Sequence, residues 1–232
     1  RLGATVLGAS SLEWVRVFRP AALGLSRVPP LRFLAPLARP FDALAARSPW
    51  AALPPDFKPR GGAVCRPVSV GEFTAIAGEM LARSPVKPAY DDAELAHVIA
   101  EALPKSARGP AHVREIVLPS GKRLGAALYH LRPNGMARLQ TLLAAPGHED
   151  VALDAVMLDA RDAGAAAIAG RSEPRLLEPL SRRHAVFLRS SATVVHTRDD
   201  ALRAAFQRGD VPLNGLFGER WMRLIGDDVL WS

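Results

Sequence analysis

Cysteine is almost absent. Cys65 stands alone, which excludes an intrachain disulfide and a cysteine-rich metal site and fits a reducing compartment. Aromatic residues make up 6% of the chain and no basic run interleaves them, so the stacking surface of a single-strand nucleic-acid binder is missing. No apolar run approaches the roughly 20 residues needed to cross a bilayer, so no transmembrane segment is expected. His97, His112, His184 and His196 lack the spacing of a shared metal site, and no metal is expected. Methionine does not open the chain, and no charged-then-apolar leader follows Arg1, so the segment is expected to begin inside a longer protein. With 49% apolar residues it reads as globular, not disordered, and as cytoplasmic.

The net charge of +7 invites a nucleic-acid reading. The excess, however, is mostly arginine scattered along the chain and set beside acids, as in Arg161-Asp162 and Arg198-Asp199. That pattern describes a solvated mixed surface, with affinity for a small anion or an acidic partner as the alternative. No nucleic-acid partner is expected.

What is present is an organised centre at residues 123–171. Residues 125–131 alternate weakly, and Arg132-Pro133-Asn134-Gly135 follows, where proline presets one turn residue and Asn-Gly tolerates positive backbone dihedrals. An antiparallel partner should therefore run from Met136 to Ala144 or Ala145, until Pro146 and Gly147 stop it. From His148 the period becomes helical, with Glu149 and Asp150 at the positive end of the helix dipole and Gly164 as the stop. Residues 165–169 are short and apolar, the length of a buried strand returning parallel to 136–145. Where a strand end meets a helix N-terminus, free backbone N–H groups can hold an anion, and residues 145–150 form that junction.

Residues 2–18 read as two short strands, too few to stand alone, which complete a sheet lying upstream or pack on the main domain. Eight prolines fall in residues 20–55, predicting a linker with short amphipathic helices near 31–37 and 41–46. A membrane-surface segment is the alternative there, although the prolines keep breaking its apolar face. From Phe57 a second unit begins. Residues 63–68 predict a strand. Ser69 and Glu72 form a capping box before a helix that Pro85 and Pro88 end, and Asp91 or Asp92 caps a helix over 93–103. These two helices would wall a substrate cleft at one sheet edge. A strand over 112–118 leads into the centre, and beyond it come a helix over 173–183, β-rich runs at 185–188 and 193–197, and a helix from Asp199 or Asp200 to Gln207. An apolar tail at 211–231 should dock on the domain.

The order from residue 63 is β, α, α, β, β, β, α, β, α, β, β, α. With Pro88-Ala89-Tyr90-Asp91 before a helix, Gly125-Ala126-Ala127-Leu128-Tyr129, Gly170-Arg171-Ser172-Glu173-Pro174 and Gly218-Glu219-Arg220-Trp221, it resembles the GNAT superfamily of N-acetyltransferases. More closely, residues 57–232 resemble the C-terminal domain of bacterial proteins with two such domains in tandem. The resemblance implies an α/β (α+β) fold with a mixed, mostly antiparallel central sheet and helices on both faces. Arg1-Leu2-Gly3-Ala4 is similar to the ending that precedes the last strands of that fold. This implies that residues 1–20 are the tail of a truncated upstream domain, itself a partner, and that 21–56 are the linker.

The activity implied is acyl transfer from acetyl-CoA or another acyl-CoA to a small-molecule amine, with the alternative of a non-catalytic domain serving an upstream one. The resemblance puts the acyl-CoA on Leu143, Ala145, Gly147 and His148. The family's phosphate loop would have Gln or Arg at Ala144 and a small residue at Glu149, so simple helix capping stays open as the other role of this turn. Many members of the superfamily protonate the leaving thiolate with a tyrosine on the helix after the crossover. Residues 173–183 contain none, and Ser181 is the nearest hydroxyl. Tyr129 and His130 are candidate catalytic residues, although alternation sends them to opposite faces and only one can line a given cleft. Glu219 beside Trp221 is a candidate general base, since an apolar wall disfavours its charged form; a plain surface carboxylate is the other reading.

Overall fold

The computed structural model describes residues 4–27, 37–45, 57–104, 108–189, 192–213 and 215–217. In chain order these form β1 (Ala4–Val6), β2 (Leu12–Val17), α1 (Pro20–Arg27), α2 (Arg39–Ala45), β3 (Val64–Pro67), α3 (Val70–Ala82), α4 (Asp92–Ala102) and β4 (Ala111–Val117). There follow β5 (Arg123–His130), β6 (Met136–Ala144), α5 (Glu149–Asp162), β7 (Ala167–Arg171), α6 (Leu177–Arg182), β8 (Val186–Arg189), β9 (Val194–His196) and α7 (Asp200–Arg208).

Local chemistry sets most of these bounds. Ser69 and Asp91 each close a reciprocal capping box, with Glu72 and Glu94, at the starts of α3 and α4. Asn134 takes the positive dihedral that the β5–β6 reversal needs (φ 58°), and the Gly135 N–H donates to the Arg132 carbonyl at 2.8 Å. Strand β7 starts two residues later than its apolar run, because the Ala165 N–H is committed to the Ala160 carbonyl beyond the end of α5. The helix expected over 173–183 divides into a 3-10 turn at Pro174–Leu176 and then α6.

Seven strands make one open, mixed and mostly antiparallel sheet in the order β3-β4-β5-β6-β7-β2-β8, and β1 with β9 forms a separate ribbon. Among the described residues only β6 and β7 run parallel. Alternation along β5 divides the core between two faces. Ala127 and Tyr129 join the cluster under α5, whereas Ala126 and Leu128 join the one built from α3 and α4.

The boundary expected at residue 20 does not divide this sheet. Strand β2 lies between β7 and β8, antiparallel to both, so of the two placements open to this segment the structure has β2 on the main domain. The reason is Trp14. Its indole is fully buried, lies across Gly170, and donates to the Arg171 carbonyl at 3.1 Å. The expected linker contributes α1 and α2, a small hairpin held because Asp42 on α2 accepts from the Ala21 and Ala22 N–H groups at 2.8 and 3.2 Å. The helix expected near 31–37 lies outside the described residues apart from its last position, as does most of the tail, including Glu219 and Trp221. No helix among the described residues is long and apolar enough to cross a membrane.

Candidate functional site

The centre of interest is the point where β6 leaves β7. Across β5, Leu128 faces Thr141 and Tyr129 faces Leu139, so Gln140 is the extra residue of a bulge. On the other side the parallel ladder runs only from Met136 with Ala167 to Leu139 with Gly170. Beyond that pair the strands diverge, and Gln140 lies at the apex with no residue opposite it in either ladder. The resulting cleft is lined by Leu139–Leu142, Arg171, Glu173 and Leu176, and is no wider than a water-sized molecule.

Its polar wall was not foreseen from the sequence. Glu173, only 6% exposed, accepts from Arg175 Nε through Oε2 at 2.6 Å, and Arg175 Nη2 also donates to the Leu142 carbonyl at 3.3 Å. Arg175 therefore ties the segment after β7 back to β6 across the split. Arg171 is fixed by a bond to Thr193 Oγ1 at 3.2 Å. On the α3/α4 side the gap is covered by the 3-10 turn Gly215–Phe217, whose Leu216 is fully buried beside Phe73, Ile99 and Leu143. Only glycine fits at 215, because an added Cβ would stand 1.6 Å from the Gln140 carbonyl oxygen at a backbone φ of +70°.

The strand-to-helix turn lies at the far end of β6. Leu143 puts its side chain into the α3/α4 core, so only its backbone could meet a ligand. The Ala145 N–H donates to Leu124 O at 2.7 Å and the His148 N–H to Ala145 O at 3.0 Å, while Pro146 has no donor. Gly147 has open space around its Cα, and its φ of +77° turns the backbone toward α5. His148 is the N-cap but makes no side-chain cap bond; its buried Nδ1 has no partner among the described residues. Three arginines gather on Asp150 in the first turn of α5, namely Arg182 at 3.4 Å, Arg60 at 3.7 Å and Arg183 at 3.7 Å. Leu143, Ala145, Gly147 and His148 thus form one continuous stretch, as the chain order requires.

Tyr129 and His130 belong elsewhere. They lie at the hairpin end of β5, where His130 faces Arg138, whereas the turn begins where Gly125 faces Ala144. Both are fully buried, on opposite faces as alternation demands. His130 Nε2 donates to the Leu103 carbonyl at 3.2 Å, and the Tyr129 hydroxyl donates to the Asp159 carboxylate on α5. Burial, and then that carboxylate, hold the phenol far above its ordinary range, the reverse of what a proton donor to a thiolate needs. Glu219 lies outside the described residues. Among those described, no group of three or more His, Cys, Asp or Glu could hold a metal ion.

The Tyr129 network continues outward. Arg114 Nε donates to the same Asp159 oxygen at 2.9 Å, and Arg114 Nη2 donates to His112 Nδ1 at 3.0 Å. His112 stacks on Tyr129 with centroids 4.7 Å apart. Burial and then Arg114 lower the His112 pKa, so the imidazole is neutral in the fold and the unfolded chain takes up its proton first. This stability is complete above the unfolded value and is lost as pH falls toward the folded one. Urea midpoints should therefore drop below about pH 6.5, and His112→Gln should flatten that slope.

No family model matches the chain, and no curated protein sequence matches it. Among solved structures it is similar to a functionally unknown conserved protein from Staphylococcus epidermidis, with 9% identity and a TM-score of 0.41 over 83% of this chain. The chain spans 62% of that protein's length.

Proposed function

We propose that this is an N-acyltransferase domain of GNAT type, acting from acetyl-CoA or another acyl-CoA on a small-molecule amine in a cytoplasmic setting. One observation carries the reading. Pairing between β6 and β7 stops at Leu139 and Gly170, beside a bulge at Gln140, and so opens a gap in an otherwise continuous sheet. A ladder broken on both sides of one residue leaves backbone polar groups available to a ligand.

In this reading the pantetheine arm enters between the diverging strands, and the Gly147 N–H with the exposed Arg60 and half-exposed Arg182 holds the phosphates. The loop suits that load only in part, since the Ala145 and His148 donors are engaged. The amine nitrogen attacks the thioester carbonyl carbon, backbone N–H groups at the bulge stabilise the oxyanion, the C–S bond breaks to release coenzyme A as its thiolate, which takes a proton from water, and the nitrogen gives up its own proton to water or to Glu173. The Gly215–Phe217 turn must shift for the arm to fit.

A second reading, a domain of the same fold that supports an upstream catalytic domain, is favoured by that sealed gap and by the lack of a tyrosine on α6. Calorimetry separates the two. Acetyl-CoA should bind with a dissociation constant on the order of micromolar, and Gly147→Asp should weaken it at least about tenfold. No heat from a protein with an intact fold would favour the supporting domain.

A further inference from the structure

The α1–α2 hairpin has its amphipathicity reversed. Ala38, Asp42 and Ala45 face inward, where Ala38 meets Ala22 and Ala166 and Asp42 caps α1. Phe41 and Leu44, at i and i+3, share the outer face of α2 and are 69% and 68% exposed, and Leu37, in the turn just before the helix, is 69% exposed. Single exposed apolar residues are common on any surface, but two on one face of a short helix whose carboxylate points inward, with a third in the turn leading into it, concentrate apolar surface on this hairpin. The hairpin is also firmly mounted. The Phe18 and Arg19 N–H groups donate to Ala166 O at 2.9 Å, and the Arg19 guanidinium binds the Gly164 and Ala165 carbonyls beyond α5.

Charge selects the occupant. Residues 20–55 carry four arginines, no lysine or glutamate, and one acidic residue, Asp42. That carboxylate accepts from α1, and the stretch as written in the sequence is net basic. Exposed apolar side chains in a stretch whose sequence is net basic have the chemistry of an anionic bilayer surface: the apolar groups enter the acyl boundary while cations meet headgroup phosphates. A second copy of the chain would bring the same positive charge and repel.

We propose that the α1–α2 hairpin docks the protein peripherally on an anionic lipid surface through Leu37, Phe41 and Leu44. The prolines suit this role, because an interfacial element of short helices needs no long continuous face. The inference is independent of any acyl-transfer activity.

The test is co-sedimentation of the 232-residue chain with vesicles of phosphatidylcholine alone and of phosphatidylcholine with phosphatidylglycerol, alongside light scattering without lipid. Binding to the anionic vesicles, on the order of tenfold or more above the neutral ones and weakened by salt, is expected. The double variant Phe41→Glu/Leu44→Glu should lose it by at least about tenfold. Phe41→Ser/Leu44→Ser, which adds no charge, should weaken it in the same direction, and circular dichroism melts should be unchanged in both because the side chains are exposed. Absence of vesicle binding overturns the proposal, as does binding unaffected by the Ser pair. Concentration-dependent dimerisation that the Glu pair abolishes, without lipid binding, would assign the face to a second copy instead.

Discussion

Truncating Trp14 to alanine is expected to destabilise the protein by about 3–5 kcal/mol, the range for removing a fully buried large aromatic side chain. Three connections fail together. The indole fills the space across Gly170, packs in the cluster beneath α5, and its N–H satisfies the Arg171 carbonyl. Trp14 is also the side chain by which β2 grips β7, and β8 reaches the sheet only through β2. Loss at this position should therefore reach past the cavity itself. Urea unfolding would show a lower midpoint, and hydrogen exchange would show protection lost in β2 and β8 before β4 and β5. An unchanged midpoint would mean that β2 is not seated as described.

Replacing Asp159 by alanine should have the second largest effect, about 2–4 kcal/mol. Its carboxylate accepts from both the Tyr129 hydroxyl and Arg114 Nε. Without it the phenol loses its acceptor inside the core, and a guanidinium only 16% exposed loses its counter-charge. The carboxylate itself is 20% exposed, so solvent screens part of the loss and the upper end of the range for fully buried pairs is not expected. Combining Asp159→Ala with Tyr129→Phe should cost less than the sum of the single changes, because the second substitution removes the group the first leaves unsatisfied. Strict additivity in urea would rule out the shared bond.

Where sequence reading succeeded, the determinant was local. The Asn134-Gly135 reversal, the box at Ser69, the aspartate cap at Asp91 or Asp92, and the switch of period after Pro146 depend on residues a few positions apart, and each element stands where that chemistry put it. What was missed depends on partners distant in the chain. Nothing within residues 12–17 announces that they will divide β7 from β8, because the deciding contact is with Gly170 and Arg171. The bulge at Gln140 is likewise a property of two ladders, and no residue in the run Arg138–Leu142 marks it. Glu173 was visible as the start of the helix expected over 173–183, but its pairing with Arg175 across the split was not. Of the candidate site residues, the turn at 145–148 could be read from its proline and glycine. The engaged state of Tyr129 could not, since Asp159 lies on another element.

The seat of β2 bears on how the protein is made. This strand is among the first parts of the described chain to leave the ribosome, yet the carbonyl that receives its tryptophan lies 157 residues later. Loop closure over that span is slow compared with hairpin formation. At typical synthesis rates of about 5–20 residues per second, the segment waits on the order of ten seconds or more with its apolar side uncovered. A nascent chain of this protein is thus a natural client for a holdase, and refolding from denaturant should show a slow phase in tryptophan fluorescence after the β4–β5–β6 meander has formed.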